Sequence, residues 1–372
     1  MKKIITILFV APLILASLFL WYKYKKNVQS VVPYPYVFQN NAYSELNVEA
    51  PILIVGDRMG DRLGSFAKIM ADKVSENLSK PVKIDSIAVK GEGLHRTLEK
   101  IKSLKRLPLI IVYMGGSEES AESKFQTQDI DTIKKNLEIY EDEKIQTLLM
   151  IFPQLSRFVY HTVKYKALGS SIIPDNNTYS DIAVQKRNEI SFKLFEREIN
   201  EFFTYAKDRN SYVIAVSTPL NLDAKPRSSC PGSFSGELSP KLDQVIGLVK
   251  ERDFKQAYNI SKELALMANN NARALYIHGK IAKNLGKIKE AQKYLELAIA
   301  FDCSNWRGSP VYNQILKSAA SKHDVAFFDF NKMLKDHWTQ NLVFFDDVYP
   351  QNLYMEKMAQ VIAARIKKLL KL

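Results

Sequence analysis

Pro51-Ile52-Leu53-Ile54-Val55-Gly56-Asp57 decides how the rest of the chain is read. An unbroken apolar run, rich in β-branched residues and closed by Gly-Asp, marks a strand buried on both faces, as strands of a parallel sheet are. A helical stripe follows at once, with Phe66, Ile69, Met70, Val74 and Leu78 in register. Working outward, the alternation recurs. Val82 to Val89 predicts a second strand, Leu94, Leu98, Ile101 and Leu104 a second helix, and Leu109 to Met114 a third strand ending at Gly115-Gly116. Tyr212 to Ser217 predicts a fourth strand and Val325 to Phe330 a fifth. Met355, Met358, Val361, Ile362, Ile366, Leu369 and Leu370 stripe a C-terminal helix. The fold class predicted is α/β, a doubly wound parallel five-stranded sheet, in which ligands sit at the carboxyl ends of the strands.

Composition narrows the partners. The 372 residues are 46% hydrophobic and 25% charged, which excludes disordered, collagen-like and disulfide-dense chains and leaves room for two or three domains. Of the net charge of +13, five lysines in residues 1–26 carry a large part; without them 48 bases face 40 acids, scattered along the chain. That is no nucleic-acid groove. Two cysteines, Cys230 and Cys303, are too few and too distant for a zinc site or a redox pair. Gly56, Gly60 and Gly64 lack a following Gly-Lys-Ser/Thr, so they form a tight turn rather than a phosphate-binding loop. The residues call for no cofactor and no metal.

At the N-terminus, Lys2-Lys3 precede an uncharged run from Ile4 to Tyr22, followed by Lys23, Lys25 and Lys26. As a helix, such a run rises about 28 Å, close to the hydrocarbon thickness of a bilayer. Its end, Phe19-Leu20-Trp21-Tyr22, resembles an interfacial aromatic anchor more than a small-residue cleavage site, so residues 1–26 read as an uncleaved signal-anchor, with a cleaved signal peptide as the alternative. Lysines flank both sides, and orientation rests on the polar body behind a single anchor, which is expected outside the cytoplasm, on the periplasmic or cell-surface side. Residues 27–49 read as a linker. Residues 145–160 read as helix, with a strand stopped by Pro153 as the alternative; Asp175 to Ser180 is a polar loop, and Ile190 to Tyr205 is helical.

Residues 241–303 lose the strand signals. Arg252-Asp253-Phe254-Lys255-Gln256-Ala257 is echoed by Gly286-Lys287-Ile288-Lys289-Glu290-Ala291, the spacing of a tetratricopeptide repeat. One and a half such repeats bury no core alone, so this block is expected as an insertion between residues 50–240 and 304–372 of one α/β domain.

Four stretches stand in order: Gly56-Asp57-Arg58 after the first strand, Gly91 after the second, Tyr113 to Glu118 after the third, and Asp346-Asp347-Val348-Tyr349-Pro350 before the last helix. Together they resemble the SGNH/GDSL hydrolase superfamily, in particular variants with a tetratricopeptide-like insertion. The resemblance implies a serine at 58, an oxyanion glycine at 91, an asparagine at 117, and an Asp-His pair at 346 and 349. Here those positions hold Arg58, Gly91, Ser117, Asp346 and Tyr349. A guanidinium is no nucleophile, and tyrosine is a poor base at neutral pH. Loss of serine or histidine alone removes most triad catalysis. His95, His161, His278, His323 and His337 are dispersed; His337 is the nearest substitute in sequence.

The expectation is therefore a membrane-anchored, SGNH-like protein with a degenerate catalytic site, acting by binding or scaffolding in the cell envelope. A protein partner is expected on the helical insertion, and an anionic envelope ligand is possible near Asp57, Arg58, Arg62, Gly91 and Ser117, since Arg58 and Arg62 open a helix. Alternatively Arg58 pairs with Asp346 and locks the pocket. The competing function is an esterase or acyltransferase on envelope polysaccharide or lipid with a non-standard nucleophile. Cys230 and Cys303 form a disulfide or stay as two free thiols; the bond would be worth roughly 4 kcal/mol. The basic end, Arg365 to Lys371, reads as the wet face of a helix, with an acidic membrane surface as its alternative partner.

Overall fold

The computed structural model describes residues 12–22, 46, 48–76, 78, 81–120, 129–152, 155–160, 181–227, 238–340 and 342–370. They belong to two compact units, residues 1–38 with 124–172, and residues 39–123 with 173–372.

The smaller unit is helical where described, over residues 12–22, Ile130–Tyr140, Glu143–Ile151 and Ser156–Val159. Helix, not strand, thus occupies residues 145–151. Among the described residues no helix is long and apolar enough to cross a membrane. Of the expected span only residues 12–22 are described, and that helix rises about 16 Å, half a hydrocarbon core. Leu13, Ile14, Leu15, Leu18 and Phe19 are exposed on it. Residues 4–11, the lysines at 23, 25 and 26, the linker to residue 45, the loop 175–180 and Cys230 lie outside the described residues.

In the larger unit, β1 (Ile52–Gly56), β2 (Ile84–Ser86), β3 (Ile110–Met114), β4 (Tyr212–Val216) and β5 (Ala326–Phe328) form one parallel sheet in the order β2-β1-β3-β4-β5. Alternation assigns its faces. Ile52, Ile54, Ile110 and Val112 enter one apolar cluster, while Leu53, Val55, Ile111 and Tyr113 enter another. The first cluster is closed by the helices α1 (Arg58–Gly64) and α2 (Ala67–Ser75), and the second by α3 (Leu94–Ser103) and α4 (Asp181–Asp208). Two expected strands are shorter than their apolar runs. At the β2 edge Ile84–Ser86 form the strand, with the Ile87 and Val89 amides still donating to the Ile54 (3.0 Å) and Gly56 (3.3 Å) carbonyls, and β5 stops where Asp329 accepts from the Lys332 amide (3.1 Å) and starts a helix.

Four helices, α5 (Leu238–Lys250), α6 (Phe254–Met267), α7 (Ala272–Asn284) and α8 (Ile288–Ala300), fill the stretch read as an insertion. Asp253 and Asn271 cap α6 and α7. Val245, Tyr258, Ile281 and Leu295 join the same cluster as Ile52 and Ile54, so the block shares the sheet's core, and beside it buries two small clusters of its own around Leu242 and Leu264 and around Ala265 and Leu275. The chain closes with α9 (Pro310–Lys322), capped by Ser309, then α10 (Phe330–Lys335) and α11 (Asn352–Leu370). Met355, Met358, Ile362 and Ile366 of α11 are buried, but Val361 is 41% exposed and leaves the expected stripe.

Asp223, in the loop after β4, fastens the block. It accepts from Lys280 (2.7 Å), Lys283 (2.9 Å) and Trp338 Nε1 (2.8 Å), and its carbonyl accepts from the Tyr276 hydroxyl (2.8 Å). Burial pushes the Asp223 carboxyl up, but Lys280 and Lys283 hold it below the ordinary value. Arg307 donates to the carbonyls of Asn221 (3.1 Å) and Ala224 (3.0 Å) in the same loop; burial brings its pKa down to about 10. Cys303 is disulfide-bonded.

Candidate functional site

The sheet order reverses between β1 and β3, and in open parallel sheets that switch point is where ligands enter. Gly56 pairs with Met114 there. Its φ is +135°, and a Cβ would stand 2.0 Å from the Met114 carbonyl oxygen, so only glycine lets the two strand ends come together.

Asp57 follows and is 1% exposed. One carboxylate oxygen accepts from the Met59 amide (2.9 Å), capping α1. The other accepts from the Ser117 amide (2.6 Å), the Ser117 hydroxyl (2.8 Å) and the Glu118 amide (3.1 Å). Burial pushes the carboxyl above its ordinary value, against those hydrogen bonds and the charge of Arg58. Asp57 thereby stitches the β1 and β3 loops together.

Arg58 pairs with Glu118, not with Asp346. Glu118 is 2% exposed, and its other oxygen accepts from the Gly91 amide. Gly91 has φ of +87°, which turns that amide toward the carboxylate. The expected oxyanion donor is therefore already spent on an acid of the chain itself. Glu119 continues the pattern by accepting from the Leu94 amide (2.8 Å) at the start of α3.

The remaining positions do not gather around this pair. Asp346 accepts from the Val348 (2.7 Å) and Tyr349 (2.6 Å) amides, closing its own turn. Its backbone carbonyl accepts from Asn221 Nδ2 (3.0 Å). Tyr349 stacks on Phe345 with ring centroids 5.8 Å apart. Arg62 donates to Asn352 at the start of α11. His337 packs against the Tyr354 ring at 5.5 Å. His95 faces Glu198 (3.2 Å), both buried. Of the sequence candidates, the structure joins Asp57, Arg58, Gly91 and Ser117 through Glu118 and leaves Arg62, Asp346 and Tyr349 with separate partners. Glu118 is the residue that reading the sequence left without a role. The signal was present as an acid in the loop leaving β3 and an arginine in the turn leaving β1.

The loop after β4 is clamped as well. Asn313 accepts from the Thr218 amide (2.8 Å) and donates to its carbonyl (2.9 Å), while Asn331 accepts from Leu220 (2.7 Å) and donates to Thr218 (2.7 Å).

Residue types suited to acyl transfer do meet elsewhere, inside the helical block. The Ser261 hydroxyl lies 3.0 Å from His278 Nδ1, and His278 Nε2 lies 3.3 Å from Glu290. Ser261 and His278 are fully buried. The imidazole sits between Tyr258 and Tyr294, at centroid distances of 5.3 and 4.5 Å. Burial lowers the His278 pKa, with Glu290 pulling the other way. The hydroxyl and the imidazole are closed to solvent in this packing, while Glu290 reaches the surface. Among the described residues no group of His, Cys, Asp and Glu is placed to hold a metal ion.

No protein-family profile and no curated protein matches the chain. Among solved structures it overlaps an alpha/beta hydrolase enzyme from the metagenome of Lake Arreo, Spain, at 10% identity and a TM-score of 0.35, covering 87% of this chain and 96% of that one. It also overlaps a protein taken to be an acylhydrolase from Bacteroides fragilis, at 11% identity and a TM-score of 0.33, covering 86% and 87%. Overlaps of that quality carry no functional weight. What the geometry itself establishes is an α/β fold on a five-stranded parallel sheet, with the Asp57, Gly91 and Ser117 loops meeting at the switch point.

Proposed function

We propose that this chain is a membrane-tethered relative of the SGNH hydrolases whose catalytic position has become a closed ion-pair cluster, and that it works by binding instead of hydrolysis. One observation carries the reading: Glu118 takes both the Arg58 guanidinium and the Gly91 amide, the two groups nearest the place of nucleophile and oxyanion hole. An oxyanion needs preorganised donors that are free when charge develops. Here the donor already faces a buried carboxylate, and an incoming anion would meet like charge. The anionic ligand entertained for this pocket is thus disfavoured while Glu118 stays in place.

The tether rests on residues 4–22, the extracytoplasmic side on the polar body behind them, and the disulfide partner Cys230 on the bonded state of Cys303. The tetratricopeptide-like block would present its outer helices to a protein partner. Leu266 and Met267, 61% and 54% exposed at the end of α6, supply apolar surface for one. The second reading, an esterase or acyltransferase, has the Ser117 hydroxyl at the switch point, 2.8 Å from Asp57. Purified full-length chain in detergent, assayed on short p-nitrophenyl acyl esters beside Arg58→Ala and Ser117→Ala, separates the two. Rates equal to buffer support a binding protein; turnover abolished by Ser117→Ala replaces this reading with the second.

A further inference from the structure

The opposite end of the sheet has no role in the site. In a parallel sheet the crossover helices run back, so their C-termini collect where the strands begin. At that end Lys105 and Arg106 lie between α3 and β3, and Lys207 and Arg209 close α4 before β4. Lys322 ends α9 before β5, and Lys368 lies in the last turn of α11. All six are exposed, against Glu49, Asp208 and Asp324 among the acids there. Helix C-termini favour such cations, but Lys105, Arg106 and Arg209 stand beyond the last helical residue, where the dipole alone no longer asks for them.

Two concavities open among them. One, of about 940 Å³, is lined by Lys105, Arg106, Leu109 and Arg209; the other, of about 440 Å³, by Lys207, Tyr212 and Arg365. Between them Leu109 and Tyr212 are 44% and 53% exposed, joined by the hydrogen bond from the Tyr212 amide to the Leu109 carbonyl (2.8 Å). An exposed leucine and tyrosine ringed by lysine and arginine is the composition that settles at an anionic lipid interface. The chain also enters the larger unit at this end, since residues 48–51 line the first concavity just ahead of β1.

We propose that this face docks on anionic lipid headgroups of the membrane to which residues 4–22 tether the chain. The inference rests on the tethered reading above. It turns the strand carboxyl ends, with the helical block, away from the bilayer.

The test uses the full chain reconstituted into vesicles of phosphatidylcholine alone or with phosphatidylglycerol, followed by amide hydrogen exchange. With phosphatidylglycerol, amides of residues 105–109 and 207–212 should exchange at least about fivefold more slowly, the factor one cation near an anionic surface contributes. The slowing should vanish at high salt and in a Lys105→Gln/Arg106→Gln/Lys207→Gln chain whose unfolding midpoint matches wild type. Equal exchange in both vesicle types, or slowing that survives the triple variant, overturns the proposal. So does the same slowing produced by duplex DNA without vesicles. Flotation with phosphatidylcholine alone separates the two readings. A chain that does not float loses the tether and this proposal with it; a chain that floats without the phosphatidylglycerol-dependent slowing loses the docking face alone.

Discussion

Two buried polar clusters divide between them what an acyl-transfer site needs. Asp57, Arg58, Ser117 and Glu118 occupy the right place, at the β1–β3 switch point, with the wrong groups. Ser261, His278 and Glu290 hold the right groups in hydrogen-bonded order, in a place without access. Catalysis requires geometry, protonation state and an approach for substrate together. A list of residue types satisfies the second cluster and position on the sheet satisfies the first, and in neither do the two requirements meet. Both clusters tie neighbouring elements together through hydrogen bonds.

The largest expected effect breaks the first cluster. Glu118→Ala leaves the Arg58 cation and the Gly91 amide without their partner, and removing one member of a buried pair costs about 3–5 kcal/mol. Chemical denaturation reads it; a loss below about 1 kcal/mol would mean that Arg58 finds water and that the cluster is no lock. Next, His278→Ala empties the space between Tyr258 and Tyr294 and should cost about 3 kcal/mol by the same measurement. A smaller effect sharpens the comparison through pH. His278 is held below its unfolded value of 6.5 by burial, so below pH 6.5 the unfolded chain takes up a proton that the folded chain refuses. Stability is full above 6.5 and falls as pH drops toward the lower folded value, by at most about 1.4 kcal/mol per pH unit. Asp57, shifted upward, acts in the opposite direction and is unchanged between the chains compared. Against burial, Glu290 is held below its ordinary value in part by His278, so the comparison is read above the carboxylate range. There, wild type minus His278→Asn should isolate the slope, and parallel curves would refute it. Smallest of all, Ser261→Ala should cost about 1 kcal/mol and leave p-nitrophenyl ester rates where wild type has them.

The sheet was legible because burial on both faces writes itself as continuous apolar runs: Ile52–Val55 and Leu109–Met114 admit few other readings. Strand length was less so. β5 stops before Asp329 because that side chain caps a helix, and the phenylalanines on either side of it conceal the stop. The site was half legible. Glycines and acids at strand ends mark where loops meet, but the choice of Glu118 over Asp346 as the partner of Arg58 depends on where side chains reach across three loops. Asp346 was already committed to the Val348 and Tyr349 amides within its own turn, a local bond that competes with any distant one. His278 shows the converse: a histidine in an amphipathic helix is indistinguishable in sequence from a solvated one until the facing helix supplies Ser261.

Asp223 has a mechanical consequence. Its carboxylate is bolted to α7 through Lys280 and Lys283 and to the segment after α10 through Trp338, while its backbone belongs to the loop leaving β4. A load applied to the helical block is thus delivered to the end of a central strand. A partner gripping α7 would tug on the same loop that Asn313 and Asn331 clamp.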